Sequence, residues 1–242
     1  MKNSNWLAMV LVSLVFPVAA YSMTADDIVK KADLGRGLDT SFAMVVKVTD
    51  VNGNERQQSL FNVSVQDTNG SVIEQKAPER LRGRKLLMKD LDIWMFTPNI
   101  RRPVRMSMEQ KLTGEVANGD LARTNFAQDY SATLVGEETI NGKKLYRLKL
   151  SAKRPGVTYS KIDYWVDKST YLPSHVQFYA LSGKLLKSAT YSDFKLIYGH
   201  QRMTKMVIVD AIQKTKQSLL IYSGHQKKKF GSGFFNKESL EQ

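Results

Sequence analysis

The sequence predicts a mainly β, α+β fold, in which one antiparallel meander curls toward a barrel and helical segments lie across its concave side. Three observations predict it. From Ser41 onward, apolar and polar residues alternate in short runs with turn signals between them, which is the period of strands. Helical character gathers in two stretches, one after Thr24 and one from Leu121 to Ala127, and the glycine-broken aromatic tail ends in a short polar helix or coil near Leu240. The strands follow one another through short links, as in an up-and-down meander.

Taken in order, Thr24-Ala25-Asp26-Asp27 opens the first helix. Thr24 is the cap, Asp27 stands at the capping-box position, and both acids favour the positive end of the helix dipole. Ile28, Val29 and Ala32 form its apolar stripe, and Gly35 or Gly37 should end it. Phe42 to Val48 and Ser59 to Val65 are strands on either side of a turn at residues 50–54. In the second, Ser59, Phe61, Val63 and Val65 share one face. Asn141-Gly142 is the strongest hairpin signal in the chain, and Tyr146, Leu148 and Leu150 alternate after it. Ile162, Tyr164 and Val166, then Val176 and Phe178, continue the alternation. The runs 184–196, 202–212 and 214–222 follow, with a break at Tyr198-Gly199. A helix inserted between Met108 and Tyr130 has one sensible place to go, across the concave face.

The first 22 residues read as a secretory signal: Lys2, an apolar run from Trp6 to Val18, then small residues, with cleavage after Ala20 or Ser22. The run falls short of the ~18 residues a membrane span needs. Residues 23–242 are then expected to form one domain, with no internal repeat or low-complexity tract. The chain has no cysteine, so neither an acylated cysteine nor a disulfide framework is available, and folding must rest on core burial. Loss of the signal changes the formal charge from +13 to +12. A secreted protein this basic meets anionic surfaces readily. Nucleic acid is not an expected partner, because no recognition-helix, zinc-finger or aromatic RNA-binding signature is present.

The most informative stretch runs from Lys76 to Met106. Two apolar strands, 84–88 and 93–96, flank the acidic turn Asp90-Leu91-Asp92; Thr97-Pro98-Asn99 ends the second, and the basic run Arg101-Arg102-Pro103-Val104-Arg105 follows. This stretch resembles the LolA-like outer-membrane lipoprotein-sorting proteins, which show a basic-Pro element, a short "D-x-x-x-W-x-[FY]-x-P" hairpin and a basic segment. The matching residues are Lys76-Ala77-Pro78, Asp90 to Pro98, and Arg101-Arg102-Pro103. The resemblance implies an incomplete antiparallel β-barrel of about ten or eleven strands with helices over its concave face, located in the periplasm. The implied function is a carrier that binds the acyl chains of a lipid or lipoprotein in an apolar cavity and moves them toward the outer membrane. Its implied partners are that cargo and, on either side, an inner-membrane transporter and an outer-membrane acceptor. The family's carrier has a lid-closing arginine just before the proline of the first motif. Here that position is Ala77, with Lys76 one residue earlier, so lid control is expected to differ.

Candidates for the lining are Leu87, Trp94 and Phe96 in the motif hairpin, Leu148, Ile162, Tyr164, Val176 and Phe178 in the later strands, and Leu121 and Phe126 from the lid. A one-residue slip in any strand would exchange its faces. Arg101, Arg102 and Arg105 are candidates for an anionic headgroup or acidic partner. No catalytic centre, metal site or cofactor is expected. His175, His200 and His225 lie in separate strands or turns with no ligand pair at i, i+2 or i, i+4. The glycines around Lys143 lack phosphate-loop spacing, and Gly231-Ser232-Gly233 lacks the strand–turn–helix context of a nucleophile elbow. The alternative to a carrier is a shell with a filled core, a non-catalytic accessory or interaction subunit of an efflux-type envelope transporter.

Overall fold

A computed structural model describes residues 23–37, 40–66, 70–98, 102–122 and 125–240. The expected signal, residues 1–22, and Arg101 lie outside these residues. Helix α1 (Ala25–Arg36) starts as its sequence dictates. The Thr24 hydroxyl accepts from the Asp27 N–H at 3.2 Å, and the Thr24 N–H donates to the Asp27 carboxylate at 3.2 Å. Gly37 caps its other end, and Ile28, Val29 and Ala32 are buried. Gly35 is needed for close approach, since a Cβ there would stand 2.9 Å from Pro173 Cδ.

The first strands are β1 (Phe42–Asn52), β2 (Glu55–Gln66), β3 (Gly70–Ala77), β4 (Lys85–Lys89), β5 (Asp92–Phe96) and β6 (Val104–Met106). A small separate hairpin, β7 (Lys111–Thr113) and β8 (Val116–Ala117), leads into two short helices, α2 (Asn118–Ala122) and α3 (Phe126–Asp129). The chain then returns to the sheet as β9 (Tyr130–Ile140), β10 (Lys143–Ala152), β11 (Lys161–Asp167) and β12 (Pro173–Tyr179). It finishes with β13 (Leu185–Ile197), β14 (His200–Asp210) and β15 (Lys216–Lys227). The Asn141-Gly142 turn has positive φ at both residues, 50° and 77°, the geometry of the favoured two-residue hairpin.

Thirteen strands make one antiparallel sheet in the order β6-β5-β4-β3-β2-β1-β15-β14-β13-β12-β11-β10-β9. The two halves of the meander join where β1 pairs with β15. The sheet does not close into a barrel: β6 and β9 are its edges. Across that opening, Arg154 of the β10–β11 loop grips Asp90 of the β4–β5 turn at 2.5 and 2.8 Å.

The sheet has thirteen strands where the resemblance implies about ten or eleven, and β3 and β6, which carry no alternation, are strands that the periodicity does not reveal. β6 is three residues long. In β3, four consecutive residues, Gly70 to Ile73, are all buried, so both of its faces are covered and the period-two signal vanishes. Elsewhere the alternation is kept: Ser59, Phe61 and Val63 are buried and Asn62 is exposed. One continuous core fills the concave side, drawn from α1, α3 and nearly every strand of the sheet.

Candidate functional site

The floor of the concave side is aliphatic and aromatic. Leu148, Ile162, Tyr164, Val176 and Phe178 lie in this core as the alternation predicts, and Leu121 and Phe126 reach it from the covering segment. Phe126 is the centre of the packing. Its ring meets Tyr130, Tyr164 and Phe178 edge-on at centroid distances of 5.5, 5.5 and 6.5 Å, a favoured aromatic geometry. Tyr159 stacks on Phe178 at 4.1 Å. These rings leave a cavity of about 20 Å³ beneath the helices, bounded among others by Arg36, Phe126, Tyr130, Tyr159 and Tyr191. That space suits about one water molecule, whereas small-molecule sites usually offer roughly 300 Å³ or more. Among the described residues, the space beneath α1 and α3 around the Phe126 rings is therefore filled in this conformation.

Polar pins hold the cover in place. On α1, Asp26 accepts from the Ala132 N–H at 2.9 Å and Asp33 from the Ala127 N–H at 2.8 Å. The Leu34 carbonyl accepts from the Arg202 guanidinium at 2.6 Å. The most unusual group is Arg36. Its guanidinium lies 3.4 Å above the Phe126 ring centroid and 3.2 Å from Asp33 Oδ1, almost wholly removed from water. Burial opposes its charge, yet Tyr191, Tyr164 and Asp33 raise its pKa overall, so it stays protonated. Burial pushes the Asp33 carboxyl up to about 6, against the pull of Arg36 and the N–H groups of Ala127 and Phe126. The Arg36 Nε and the Tyr164 hydroxyl are buried with no hydrogen-bond partner, an arrangement that costs free energy as long as the cover stays shut.

A second set of pins fixes α2 and the β7–β8 hairpin. Lys187 reaches inward to Asp120 at 2.5 Å and to the Glu115 carbonyl at 2.7 Å, and the Tyr159 hydroxyl donates to Asp120 at 2.6 Å. At the hairpin tip, Gly114 has φ +47°, and a Cβ there would stand 1.9 Å from Asp50 Oδ1. Only glycine lets the tip sit against Asp50, which also accepts from Thr113 and Ser218 at 2.5 Å each.

Three expected lining residues lie on the other side of the sheet. Leu87 belongs to a separate cluster with Val72, Phe235 and Leu240, and Trp94 and Phe96 pack against it. Their neighbours Leu86, Met88 and Ile93 face the concave core instead. The parity error has a physical cause. The C-terminal segment, residues 230–240, covers the convex face here, so β4 and β5 are apolar on both sides and alternation cannot tell which side is which. Phe230, Phe234 and Phe235 pack together at 4.7–5.2 Å, and Lys237 lies 4.1 Å from the Trp94 ring centroid. Of the three arginines proposed for an anionic contact, Arg102 is exposed, Arg105 pairs with Asp92, and Arg101 lies outside the described residues. Lys76 pairs with Glu74 at 2.5 Å, half-exposed, and so does not stand in for a buried lid arginine. His175 stacks on Trp165 at 4.3 Å.

Arg36, Asp33, Tyr130, Tyr159 and Tyr191 were not among the expected site residues. One signal for the first two is visible: at i+4 spacing, Ile28 and Ala32 lead to Arg36, and Val29 leads to Asp33, so both charges continue the apolar stripe of α1.

Comparison with known proteins places this geometry. A family model described as "Uncharacterized protein" matches residues 67–242. The crystal structure of a LolA superfamily protein from Nitrosomonas europaea is 34% identical, covers 90% of this chain and 100% of its own, and superposes with a TM-score of 0.86. A putative outer membrane lipoprotein-sorting protein domain from Vibrio parahaemolyticus is 21% identical over 90% of this chain and 98% of its own, with a TM-score of 0.77. A DUF1329 family protein from Desulfovibrio piger is 20% identical over 89% of this chain and 97% of its own, with a TM-score of 0.76. The last two share the fold. No curated protein matches.

Proposed function

This chain belongs to the LolA superfamily, and we propose that it is a periplasmic, non-catalytic carrier that takes up the acyl chains of a lipid or acylated lipoprotein beneath α1 and α3. The fold supports a carrier-type role. The observation that carries the finer reading is the cover itself. An apolar underside is held over an apolar sheet by rim hydrogen bonds from Asp26 to β9 and from the Leu34 carbonyl to Arg202 of β14, while the Asp33–Arg36 pair within α1, which also ties α1 to α3, is costly to bury. A carrier without cargo must hide its apolar interior from water, so a closed, ring-filled empty state is what such a protein requires. An acyl chain of ~16 carbons costs on the order of 12 kcal/mol in water. Part of that free energy offsets lifting α1 and displacing the Phe126 cluster, and the remainder sets how firmly cargo is held before an acceptor takes it. Arg36 takes the place in lid control left vacant by Ala77. Residues 1–22 act as the export signal in this reading, and the cargo moves from an inner-membrane donor toward the outer membrane.

The filled interior also suits the alternative, a non-catalytic accessory subunit of an envelope transporter. One experiment separates the two. The chain has no cysteine, so a pair introduced on α1 and β14 forms its sole disulfide. The carrier reading expects lipid to co-purify with protein taken from its own envelope, as read by native mass spectrometry. It also expects uptake of a fluorescent fatty acid by the reduced pair and none by the oxidised pair. A clean apo mass, together with no uptake by the reduced form, would leave the accessory reading.

A further inference from the structure

The hairpin joining β13 to β14 projects two largely apolar side chains toward solvent: Leu196 is 71% exposed and Tyr198 44%. The tip is held rather than loose. Tyr198 Oη donates to the His225 carbonyl and accepts from the Lys227 N–H, both at 3.1 Å, and the Lys228 N–H donates to the Ser41 carbonyl at 3.2 Å. These bonds bring the end of β15 beside the tip, and with it a run of three exposed lysines, Lys227, Lys228 and Lys229. The Lys227 ammonium lies 5.1 Å from the Tyr198 ring centroid. Lys195 is exposed one residue before Leu196, and His200 and His225 complete the polar rim. Neither 194–203 nor 221–230 contains an Asp or Glu; the first acid down β13 is the exposed Asp193.

An exposed leucine and a tyrosine ringed by lysines match the layered chemistry of a bilayer surface. The apolar tip enters the acyl boundary, the phenol ring sits at headgroup depth, and lysine stems spread so that their ammonium groups meet phosphates. The contrasting tips carry Leu181 and Ile212, even more exposed at 78% and 72%. Their lysines, Lys184, Lys214 and Lys216, share the region with Asp210, whose carboxylate accepts from the Ile212 and Gln213 N–H groups. Exposure alone does not distinguish the two sites; local charge does.

We propose that the β13–β14 tip together with Lys227, Lys228 and Lys229 docks the protein on an anionic phospholipid surface. This goes beyond cargo uptake and does not depend on it. The test is co-sedimentation of the mature protein with vesicles of phosphatidylcholine alone or mixed with phosphatidylglycerol. Binding is expected only to the anionic vesicles, weakening as salt is raised. Leu196→Ser at the tip, and separately Lys227→Gln with Lys228→Gln and Lys229→Gln, should each weaken it at least tenfold with an unchanged melting temperature. Leu181→Ser with Ile212→Ser should leave it intact. Equal loss in this last variant, or binding to neutral vesicles alone, would overturn the proposal. So would loss in the lysine variant with full binding retained by the tip variant, which would point to an acidic protein as the occupant. Fatty-acid uptake, measured on the same variants, should not change.

Discussion

The two faces of the sheet carry different kinds of cover. On the concave face lie α1, α3 and the β7–β8 segment, which carry or meet charged groups drawn out of water: Arg36, Asp33, Asp120 and Lys187. On the convex face lies the C-terminal segment, attached through Phe235, Leu240 and their contacts with Val72, Leu87, Trp94 and Phe96. The convex cover is dominated by rings and aliphatic groups, which gain by staying dry. The concave cover also carries groups that would regain hydration if it lifted. On the carrier reading proposed above, the difference picks out the cover that would move: the one whose fastening is partly offset by the desolvation of its own charges.

The largest expected effect falls on the concave side. Asp120→Ala removes the partner of a Lys187 that is 8% exposed, along with the acceptor for Tyr159. An uncompensated buried ammonium should cost about 3–5 kcal/mol, read as a lowered urea midpoint with an unchanged slope. On the convex side, Phe235→Ala should cost about 3 kcal/mol, the lower end for a buried ring because the tail can settle into the gap. Fatty-acid uptake by that variant should be unaffected. If Phe235→Ala impaired uptake while keeping its fold, the convex cover would be part of the moving assembly and the comparison would fail.

The same contrast explains what was legible in the sequence. One-sided strands announced themselves: Phe61 and Val63, Leu148 and Leu150, Ile162 and Tyr164 alternate because polar neighbours face water, and all lie in the concave core. The α1 cap and stripe were equally readable, since capping depends on residues three apart. Where both faces are covered, the signal disappears. Gly70 to Ile73 gave no strand pattern, and Leu87, Trp94 and Phe96 fell on the wrong face because nothing local records that residues 230–240 return to cover them. The interior charges were hidden for another reason. An arginine in the last turn of a helix is ordinarily a solvated complement to the dipole. Only its spacing from Ile28 and Ala32 marks Arg36 as inward. The aromatic tail was visible as composition; its destination, some 150 residues away at Lys85, whose ammonium meets the Leu240 carbonyl at 3.2 Å, was not.

If the concave cover is poised by its buried charges, neutralising them should hold it shut. Arg36→Met combined with Asp33→Asn replaces the pair with groups that lose little on burial. Such replacements are commonly neutral or stabilising by about 1–4 kcal/mol. Denaturant unfolding should show stability equal to or above that of the wild type, and stopped-flow uptake of fluorescent fatty acid should slow about tenfold or more, since ~1.4 kcal/mol added to the opening barrier is a factor of ten. A faster-loading double variant would mean that the ion pair locks the cover rather than easing its release.

The most specific effect is that of pH, because it isolates Asp33. Burial raises its carboxyl in the folded protein to about 6, from the usual aspartate value of 3.8. Between those values the folded state binds more protons than the unfolded state, so this group's contribution to stability falls as pH rises through the window and levels off above about 6. The full span is up to about 3 kcal/mol at ~1.4 per pH unit. Other carboxylates act in the opposite direction: Asp167 and Asp210 are held below the usual range, Asp167 against its burial by bonds from Ser169 and Thr170, Asp210 by N–H bonds from Gln213 and Ile212. The informative quantity is therefore the stability of the wild type minus that of Asp33→Asn, measured by urea unfolding between about pH 4 and 8. That difference should fall with rising pH up to about 6 and then stay flat. A difference that instead rose with pH would mean that Arg36 stabilises the carboxylate more than burial penalises it. The concave cover would then be fastened as tightly as the convex one, and the two faces of the sheet would no longer differ in the way argued above.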